Sequence, residues 1–308
     1  QHALPVFVDS DIETFQIDAR KIEPLVNERT KAIIPVHLGG SAADMDAVLA
    51  VARKHNLLVI EDACQAWLAQ WRGRNVGRLG NCGCFSFQAS KNINSGEGGA
   101  IISDDQEFIE RCFGFHTQGR MRKFSNEFGY EMSGTNLRMT EFQAAVLLAQ
   151  LKRLEAHTKK REDNAAYLTS LLREIPGVVP ARMYDGCTRN AYHLYMLRYE
   201  SGKFAGMTRE QFLKAVRAEG VPLSAGYGPL NKSPFLKSTL QSRGFRRLFS
   251  AERIARWEEQ NHTPANDRLT REVCWLPQNC LLAERSTMDQ IAEGILKVQE
   301  HAAEIARV

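Results

Sequence analysis

Two segments decide the fold of this chain: Val59-Ile60-Glu61-Asp62-Ala63-Cys64-Gln65-Ala66 and, further on, Phe85-Ser86-Phe87-Gln88-Ala89-Ser90-Lys91-Asn92. In the first, an apolar run ends in two carboxylates, which is typical of a buried strand with polar groups at its carboxyl end. In the second, an apolar run leads to one lysine, and the glycine-rich sequence Gly96-Glu97-Gly98-Gly99 follows. Glycines allow the backbone to approach a ligand closely. Together the two segments indicate a ligand site at one edge of a sheet.

Strand-like and helix-like patterns alternate around these segments. We expect strands in three apolar runs, at residues 4–9, 31–38 and 57–62. Asp44 can cap a helix whose apolar residues keep a 3.6-residue period to about His55, and Asp18 can cap a shorter one. Continuous apolar strands that alternate with helices are typical of a parallel sheet covered on both faces. The sequence therefore predicts an α/β fold whose ligands bind beyond the carboxyl ends of the strands.

The second half of the chain predicts a different arrangement. A polar stretch from Thr117 to Thr135 is expected to be a long loop, and a long helix then runs from Thr140 to about Leu172 without a linker inside it. After this helix we expect a strand at residues 192–199 and helices at 208–219 and 286–306, which suits a smaller α+β domain. We place the domain boundary inside the long helix. The predicted large domain is residues 1–155 and the small C-terminal domain is residues 156–308.

Composition and charge argue against several classes of protein. Of the 308 residues, 44% are hydrophobic and 25% are charged, as in an ordinary globular protein. The formal net charge is +4 and the basic residues are scattered, so no nucleic-acid surface is indicated. No apolar run reaches the about 20 residues of a membrane span. The seven cysteines are dispersed and lack the spacing of a metal site, which favours reduced thiols in the cytoplasm.

Lys91 and Asp62 are the candidate catalytic residues. Taken singly, a lysine at a strand end is more often a surface residue, and an acid after a strand is more often a cap or loop residue. Taken together, they supply an amine that can form a Schiff base and a carboxylate that can keep a pyridine nitrogen protonated. Phe85 and Phe87 would desolvate the amine and favour its neutral, nucleophilic form. This combination predicts a site for pyridoxal 5'-phosphate (PLP).

Two polar residues near the candidate pair complete the predicted cofactor site. Gln65 can hydrogen-bond the ring oxygen of PLP, and Ser86 can hold its phosphate as an uncharged donor. Either residue could equally belong to a turn, so the interpretation depends on the whole set.

In their order along the chain, these motifs resemble those of the DegT–StrS-type sugar and aminocyclitol aminotransferases of PLP fold type I. The resemblance rests on Glu61-Asp62-Ala63-Cys64-Gln65-Ala66, Gly77-Arg78-Leu79-Gly80, Phe85-Ser86-Phe87, Lys91-Asn92, Gly96-Glu97-Gly98-Gly99 and Gly134-Thr135-Asn136-Leu137-Arg138-Met139-Thr140-Glu141-Phe142-Gln143-Ala144-Ala145. It covers nearly the whole chain. It implies a PLP-binding large domain, with a mainly parallel sheet between helices, and a smaller C-terminal α+β domain.

The resemblance also implies an activity. Members of this family move an amino group from L-glutamate or L-glutamine to a keto-sugar or keto-cyclitol. The wording of the motifs, together with Ser224-Ala225-Gly226-Tyr227, is closer to the branch that acts on cyclitols such as scyllo-inosose. Two alternatives stay open: a PLP-dependent sugar dehydratase on the same scaffold, and a non-catalytic truncated relative. An intact Lys91 argues against the dehydratases that carry histidine at this position, and Lys91 with Asp62 argues against lost chemistry.

At matching positions the resemblance implies a role for each site residue. Lys91 would form the Schiff base and then move the substrate proton. Asp62 would face the ring nitrogen, Gln65 the ring hydroxyl and Ser86 the phosphate. Asn136 would reach the phosphate bound by a neighbouring subunit, which implies a homodimer with shared active sites.

The chain departs from the family pattern at its start and leaves one further residue ambiguous. It begins at Gln1 and runs directly into an expected core strand, so we expect that the N-terminal part of a longer protein precedes it. In the family this part supplies a Gly-Thr turn for the phosphate and an aromatic ring against the cofactor. Without it, we expect weak cofactor binding and an incomplete sheet. Arg138 is either a carboxylate-binding residue or part of a structural ion pair.

Overall fold

The computed structural model describes residues 2–121 and 130–307. Residues 122–129 of the predicted long loop lie outside this range. The chain consists of two compact units, and each unit is discontinuous in sequence. One unit comprises Gln1–Arg29, Asn164–Met183 and Leu194–Val308, and the other comprises Thr30–Asp163 and Tyr184–His193. The boundary expected between residues 155 and 156 stays a prediction.

The described residues form short strands and helices of varied length. The strands are β1 (Ala32–Ile33), β2 (Leu58–Asp62), β3 (Gln70–Trp71), β4 (Arg74–Asn75), β5 (Cys82–Ser86), β6 (Gly99–Ile102), β7 (Val178–Pro180), β8 (Cys187–Arg189), β9 (Leu194–Tyr199), β10 (Ser224–Ala225) and β11 (Val273–Pro277). The helices are α1 (Met45–Lys54), α2 (Gln106–His116), α3 (Glu141–Leu172), α4 (Arg209–Ala218), α5 (Pro234–Leu240), α6 (Arg243–Leu248), α7 (Ala251–Gln260), α8 (Pro264–Glu272), α9 (Arg285–Glu300) and α10 (Ala302–Ile305).

The unit that contains both key segments is built on a four-stranded sheet with the order β1-β2-β5-β6. β1, β2 and β5 are parallel, and β6 pairs antiparallel with β5. In the register of β2 and β5, Asp62 lies opposite Cys84, so both strands end at the same edge of the sheet. The predicted α/β class with a mainly parallel sheet is therefore confirmed, and the candidate residues follow the carboxyl ends of neighbouring strands.

The helix predicted at Asp44 is present as α1. Its first turn is capped by the Asp44 side chain, which accepts a hydrogen bond of 3.1 Å from the backbone N–H of Ala47. Met45, Val48 and Ala52 are buried, as the 3.6-residue period predicts. Asp105 caps α2 in the same way, by accepting from the backbone N–H of Phe108 at 3.0 Å. Local capping chemistry therefore fixes where both helices begin.

The other unit contains an antiparallel sheet with the order β10-β11-β9-β7. Helix α4 begins with a capping box in which Thr208 and Gln211 each bond the backbone N–H of the other. The buried side chains of α9 include Met288, Ile291 and Ile295, which lie on one face of the helix. These elements confirm the predicted α+β character of the C-terminal part of the chain.

The strand expected at residues 4–9 is absent, so that prediction was wrong. Pro5 has no N–H, and its carbonyl oxygen accepts a hydrogen bond from the indole N–H of Trp257. The backbone N–H of Phe7 donates to Oδ1 of Asn261 at 3.4 Å. Side chains, rather than a neighbouring strand, therefore form hydrogen bonds with the backbone of this segment. The strand expected at residues 31–38 is also shorter, because its ladder is reduced to β1 and an isolated bridge between Val36 and Asp62.

The helix expected after Asp18 is replaced by two short 3₁₀ turns, Ala19–Lys21 and Glu23–Leu25, because Pro24 cannot continue the hydrogen-bond ladder of an α-helix. Within residues 2–121 and 130–307, no helix combines the length and the apolar character needed to cross a membrane.

Candidate active site

Asp62 is the last residue of β2, the central strand of the parallel part of the sheet. Its Oδ1 accepts a hydrogen bond of 3.1 Å from the backbone N–H of Cys64. Among the residues that the structure describes, no lysine, arginine or histidine forms an ion pair with this carboxylate. Asp62 is therefore a half-buried carboxylate that is oriented by the backbone and has no cationic partner within the described chain.

The preceding residue, Glu61, faces the interior and is completely buried. Its two oxygens accept from the backbone N–H groups of Gly77, Leu79 and Gly80 at 2.7, 2.6 and 2.7 Å. A fourth donor is Nε2 of His37 at 2.9 Å. Burial raises the pKa of Glu61, but the hydrogen bonds from His37 and from the backbone outweigh it, so that the pKa lies below its ordinary value. Glu61 thus fixes the loop at residues 77–80 against the strand that carries Asp62.

Lys91 lies in a loop whose backbone is held at several points. Its own N–H donates to the carbonyl oxygen of Gln88 at 2.9 Å. Three residues later, the side chain of Gln150 on α3 accepts from the backbone N–H of Asn94 at 3.1 Å and donates to the carbonyl oxygen of Asn94. The Lys91 amine itself makes no hydrogen bond or ion pair with any described residue. The loop is therefore anchored while the half-buried amine stays available.

The thiol of Cys64 shows that Asp62 and Lys91 belong to one neighbourhood. Burial, a hydrogen bond to Asp62 and the charge of that carboxylate together raise the pKa of Cys64 from 9.0 to about 12, whereas the positive charge of Lys91 acts in the opposite direction. A charge affects a pKa in this way only over short distances. The charges of both predicted catalytic side chains therefore act on the same thiol.

Gln65 and Ser86 lie at the same edge of the sheet. Oε1 of Gln65 accepts from the backbone N–H of Gly39 at 2.7 Å, which fixes the orientation of its amide. Ser86 ends β5, and its Oγ accepts from the backbone N–H of Gln88 at 3.2 Å. The indole of Trp67 donates to the carbonyl oxygen of Ser86 at 3.2 Å and stacks on Phe87 with ring centroids 5.3 Å apart. An aromatic cluster thus supports the strand end from which the lysine loop departs.

Asn136 is exposed and lies in the segment that precedes α3. It forms an isolated bridge with Thr117, and its Oδ1 accepts from the backbone N–H of Arg138 at 3.3 Å. No ion pair joins the Arg138 side chain to any described acid, so the expectation of a structural ion pair finds no support there.

Three residues of this region were not predicted from the sequence: Asn92, Gln150 and His193. Asn92 was quoted only as a neighbour of the lysine, and the other two lie far away along the chain. A possible signal was the presence of buried polar residues in apolar surroundings, since His193 precedes a buried strand and Gln150 interrupts an apolar stretch.

Comparison with known proteins decides the class of this site. A family model described as the DegT/DnrJ/EryC1/StrS aminotransferase family matches residues 1–274. This chain belongs to that family. As a family member it is an aminotransferase, which supports the predicted activity over the dehydratase and the non-catalytic relative.

Individual relatives match this aminotransferase over most of its length. A putative L-glutamine:3-amino-2,3-dideoxy-scyllo-inosose aminotransferase from Streptoalloteichus tenebrarius is 36% identical over 304 residues, which are 97% of this chain and 73% of the relative. An L-glutamine:2-deoxy-scyllo-inosose aminotransferase from the same organism is 36% identical over 317 residues, 99% of this chain and 73% of the relative. The crystal structure of 3-amino-5-hydroxybenzoic acid synthase has a TM-score of 0.82 at 30% identity, covering 96% of this chain and 73% of the other. The predicted PLP fold type I is therefore confirmed.

Proposed function

We propose that this aminotransferase moves the amino group of L-glutamine, or of L-glutamate, to a keto-cyclitol of the scyllo-inosose type. The observation that carries the proposal is the match to two scyllo-inosose aminotransferases over 97% and 99% of the chain. By contrast, a GDP-perosamine synthase from Caulobacter vibrioides is 39% identical but matches 75% of the chain. Both named relatives that match nearly the whole chain use L-glutamine, which makes this the favoured donor.

The proposal includes PLP as the cofactor, held by Asp62, Gln65, Ser86 and Lys91. The chemistry of the donor set fits this molecule. Asp62 is a carboxylate without a cationic partner among the described residues, as a protonated ring nitrogen requires. The Lys91 amine makes no hydrogen bond or ion pair there either, as an amine that binds an aldehyde requires. The hydroxyl of Ser86 accepts one backbone hydrogen bond and keeps its own proton for donation to a phosphate oxygen.

When bound, PLP would supply an electron sink and carry the amino group between the two substrates. The residues of this chain would hold the cofactor and move the proton. The Asp62 carboxylate would keep the ring nitrogen protonated, with its own orientation fixed by the backbone N–H of Cys64. The Lys91 amine would move a proton between the α-carbon of the donor and C4′ of the cofactor, because a neutral amine is a good base. Gln65 would hold the ring oxygen, since Gly39 already fixes one end of its amide.

The proposal further includes a homodimer in which Asn136 contributes to the partner's phosphate site. Asn136 is exposed, as a residue that reaches into a second subunit must be before assembly. The helix α3 that follows it carries large apolar side chains in water. Phe142 is 86% exposed and Leu148 is 65% exposed. Large apolar side chains that are this exposed on one helix indicate an interaction site, which a second copy of the chain would cover. A cytoplasmic location, with its reduced thiols, is part of the same proposal.

Isotope transfer tests the proposed reaction. The protein is incubated with PLP, with L-glutamine labelled with ¹⁵N at the α-amino position, and with 2-deoxy-scyllo-inosose. We expect the labelled nitrogen in an aminocyclitol, together with one 2-oxoglutaramate for each amine formed. Mass spectrometry of both products checks this balance. Label that stays in glutamine while the ketone loses water would identify a dehydratase instead.

A parallel incubation with a nucleotide-linked keto-sugar tests the acceptor. If the label appears only in the amino sugar and not in the cyclitol, the acceptor class is wrong although the aminotransferase chemistry stands.

Measurement of the molar mass by light scattering, for the wild type and for Phe142→Glu, tests the dimer. A monomeric wild type would contradict the proposed assembly.

A further inference from the structure

The side chain of Asn92, next to Lys91, uses both ends of its amide. Nδ2 donates to the carbonyl oxygen of Ala191 at 2.7 Å, and Oδ1 lies 3.1 Å from Nδ1 of His193. These partners are about a hundred residues away along the chain, yet they belong to the same compact unit as the lysine. One residue beside the predicted catalytic amine therefore ties its loop to residues 191–193.

These two contacts determine how the proton is placed on His193. Because Nδ2 of Asn92 donates to Ala191, its Oδ1 is the acceptor, so Nδ1 of His193 must carry the hydrogen. Burial, together with the positive charges of Lys91 and Arg161, lowers the pKa of His193 to about 4. At neutral pH the imidazole is therefore neutral, with hydrogen on Nδ1 and a lone pair on Nε2.

We propose that His193, held by Asn92, is a positioning residue for the Lys91 amine: the pair ties the loop that carries the amine to residues 191–193 and fixes the orientation of the imidazole next to that loop. The inference rests on the proposed function of Lys91. During amino transfer, a base such as this amine must alternate between its neutral and its charged form. A neutral neighbour leaves both forms accessible, whereas a second cation would disfavour the charged one.

The groups around His193 support this assignment. Its electrostatic neighbours are the two cations Lys91 and Arg161, and its hydrogen-bond partner is the neutral Asn92. Among the described residues no carboxylate contacts the imidazole. A charged histidine at this position would therefore add a positive charge near Lys91 and Arg161 with no carboxylate in contact with it, which the surroundings strongly disfavour.

A second clamp on the same loop provides the control. Gln150 holds the backbone of Asn94 through both ends of its amide and forms no hydrogen bond with His193. Asn92→Leu and Gln150→Leu each remove one amide clamp, but only the first releases the histidine. If the pair serves only to hold the loop, the two variants will behave alike.

The first experiment needs no cofactor. In the protein labelled with ¹⁵N-histidine, nuclear magnetic resonance reports the tautomer and the titration of each imidazole. We expect His193 to be neutral at pH 6, with hydrogen on Nδ1, and Lys91→Gln to raise its pKa because a neighbouring positive charge is removed. Titration of His193 near the ordinary value of 6.5, unchanged in Lys91→Gln, would overturn the proposal.

The second experiment follows the reaction with L-glutamine in the protein with PLP, by stopped-flow absorbance across pH 6 to 9. We expect His193→Gln, which is neutral and can donate to Asn92, to retain the pH profile of the wild type. Asn92→Leu and His193→Arg should slow the reaction on the order of 100-fold and displace its pH profile. Gln150→Leu should keep the profile even where the rate falls.

Identical pH profiles for Asn92→Leu and Gln150→Leu would reduce the pair to a structural clamp and refute the proposal. Urea unfolding of each variant separates these effects from loss of the fold. If the wild type itself does not react with any amino donor, the proposed function fails, while the histidine titration still decides whether His193 and Lys91 are coupled.

Discussion

Nε2 of His37 lies 2.9 Å from Oε2 of Glu61, and both side chains are completely buried. Nδ1 of His37 accepts from the backbone N–H of Ala43 at 3.1 Å, so the imidazole is neutral and donates through Nε2. The contact is therefore a hydrogen bond to a buried carboxylate rather than an ion pair. With three further backbone donors, Glu61 links the strand of Asp62 to the loop at residues 77–80.

Glu61→Gln should lower the free energy of unfolding by about 3 kcal/mol, because the amide NH₂ would face hydrogen-bond donors that now point at a carboxylate. Urea unfolding at pH 7 measures the change. The control is Glu107→Gln on α2, where an exposed carboxylate pairs with Arg111 at 2.7 Å and contributes about 0.5 kcal/mol or less. Equal effects of the two substitutions would contradict the role of Glu61.

The contribution of Glu61 should depend on pH. Its pKa in the folded protein lies below the ordinary value of 4.5, so the carboxylate stabilises the fold fully above that value. As the pH falls through 4.5 and then through the lower pKa of the folded state, this contribution is lost. We expect the difference in stability between the wild type and Glu61→Gln to be constant from pH 6 to 8 and to shrink below pH 4.5. Urea titrations along this range test the sign, and a difference that grows in acid would contradict it.

Lys91→Ala should abolish the visible absorption band that PLP forms with the protein and leave the free energy of unfolding within about 0.5 kcal/mol. The small effect on stability follows because the amine has no hydrogen bond or ion pair with any described residue. Absorbance spectra and urea unfolding provide the two measurements. Lys214→Ala, which changes an exposed lysine of α4, should keep the band. A band that persists in Lys91→Ala would assign the cofactor to another amine.

The thiol of Cys64 should react slowly with iodoacetamide. With a pKa of about 12 instead of 9.0, its thiolate fraction at pH 8 is about 1000-fold smaller than that of an ordinary cysteine. Asp62→Asn should accelerate alkylation because the carboxylate raises this pKa, and Lys91→Gln should retard it because the ammonium lowers it. Mass spectrometry of the peptide that contains Cys64 gives both rates. The same rate in both variants would place the two charges outside the surroundings of the thiol.

Gly83→Ala should destabilise the protein by about 3 kcal/mol or more, because a Cβ there would lie 2.1 Å from the carbonyl oxygen of Gly77. The strand β5 and the loop that Glu61 holds meet at this point, so backbone would have to move. The control is Gly228→Ala, where a Cβ meets no atom within 4 Å. Thermal or urea unfolding of both variants checks the contrast, and a tolerated Gly83→Ala would show that the loop can shift.

The sequence predicted those features that are encoded locally. Helix α1 begins one residue after Asp44, as expected, because its cap and its apolar period lie within one short stretch. The end of β2 at Asp62 was predicted for the same reason, since an apolar run and its terminal acid are adjacent. Conversely, residues 4–9 look like a strand in isolation. The partner of Pro5 is a tryptophan 252 residues away, which no local pattern reveals.

The residues of the site also fall into those that a local sequence pattern indicates and those that it does not. Asp62 and Lys91 stood out because a charged residue at the end of an apolar run is conspicuous, and in the structure the charges of both act on the Cys64 thiol. The pairing of Asn92 with His193 spans 101 residues, and neither amide nor imidazole has a spacing rule that would connect them. The fourfold bonding of Glu61 was equally hidden, because backbone donors carry no signature in the sequence.

The anchoring of the lysine loop has a practical consequence. Ala89, two residues before Lys91, is exposed, and its methyl group takes no part in the hydrogen bonds by which Asn92 and Gln150 hold this loop. A nitrile or fluorine probe installed there would report the electric field two positions from the amine without disturbing its supports. A spectroscopic probe at position 89 would thus allow proton movement at the amine to be followed in real time.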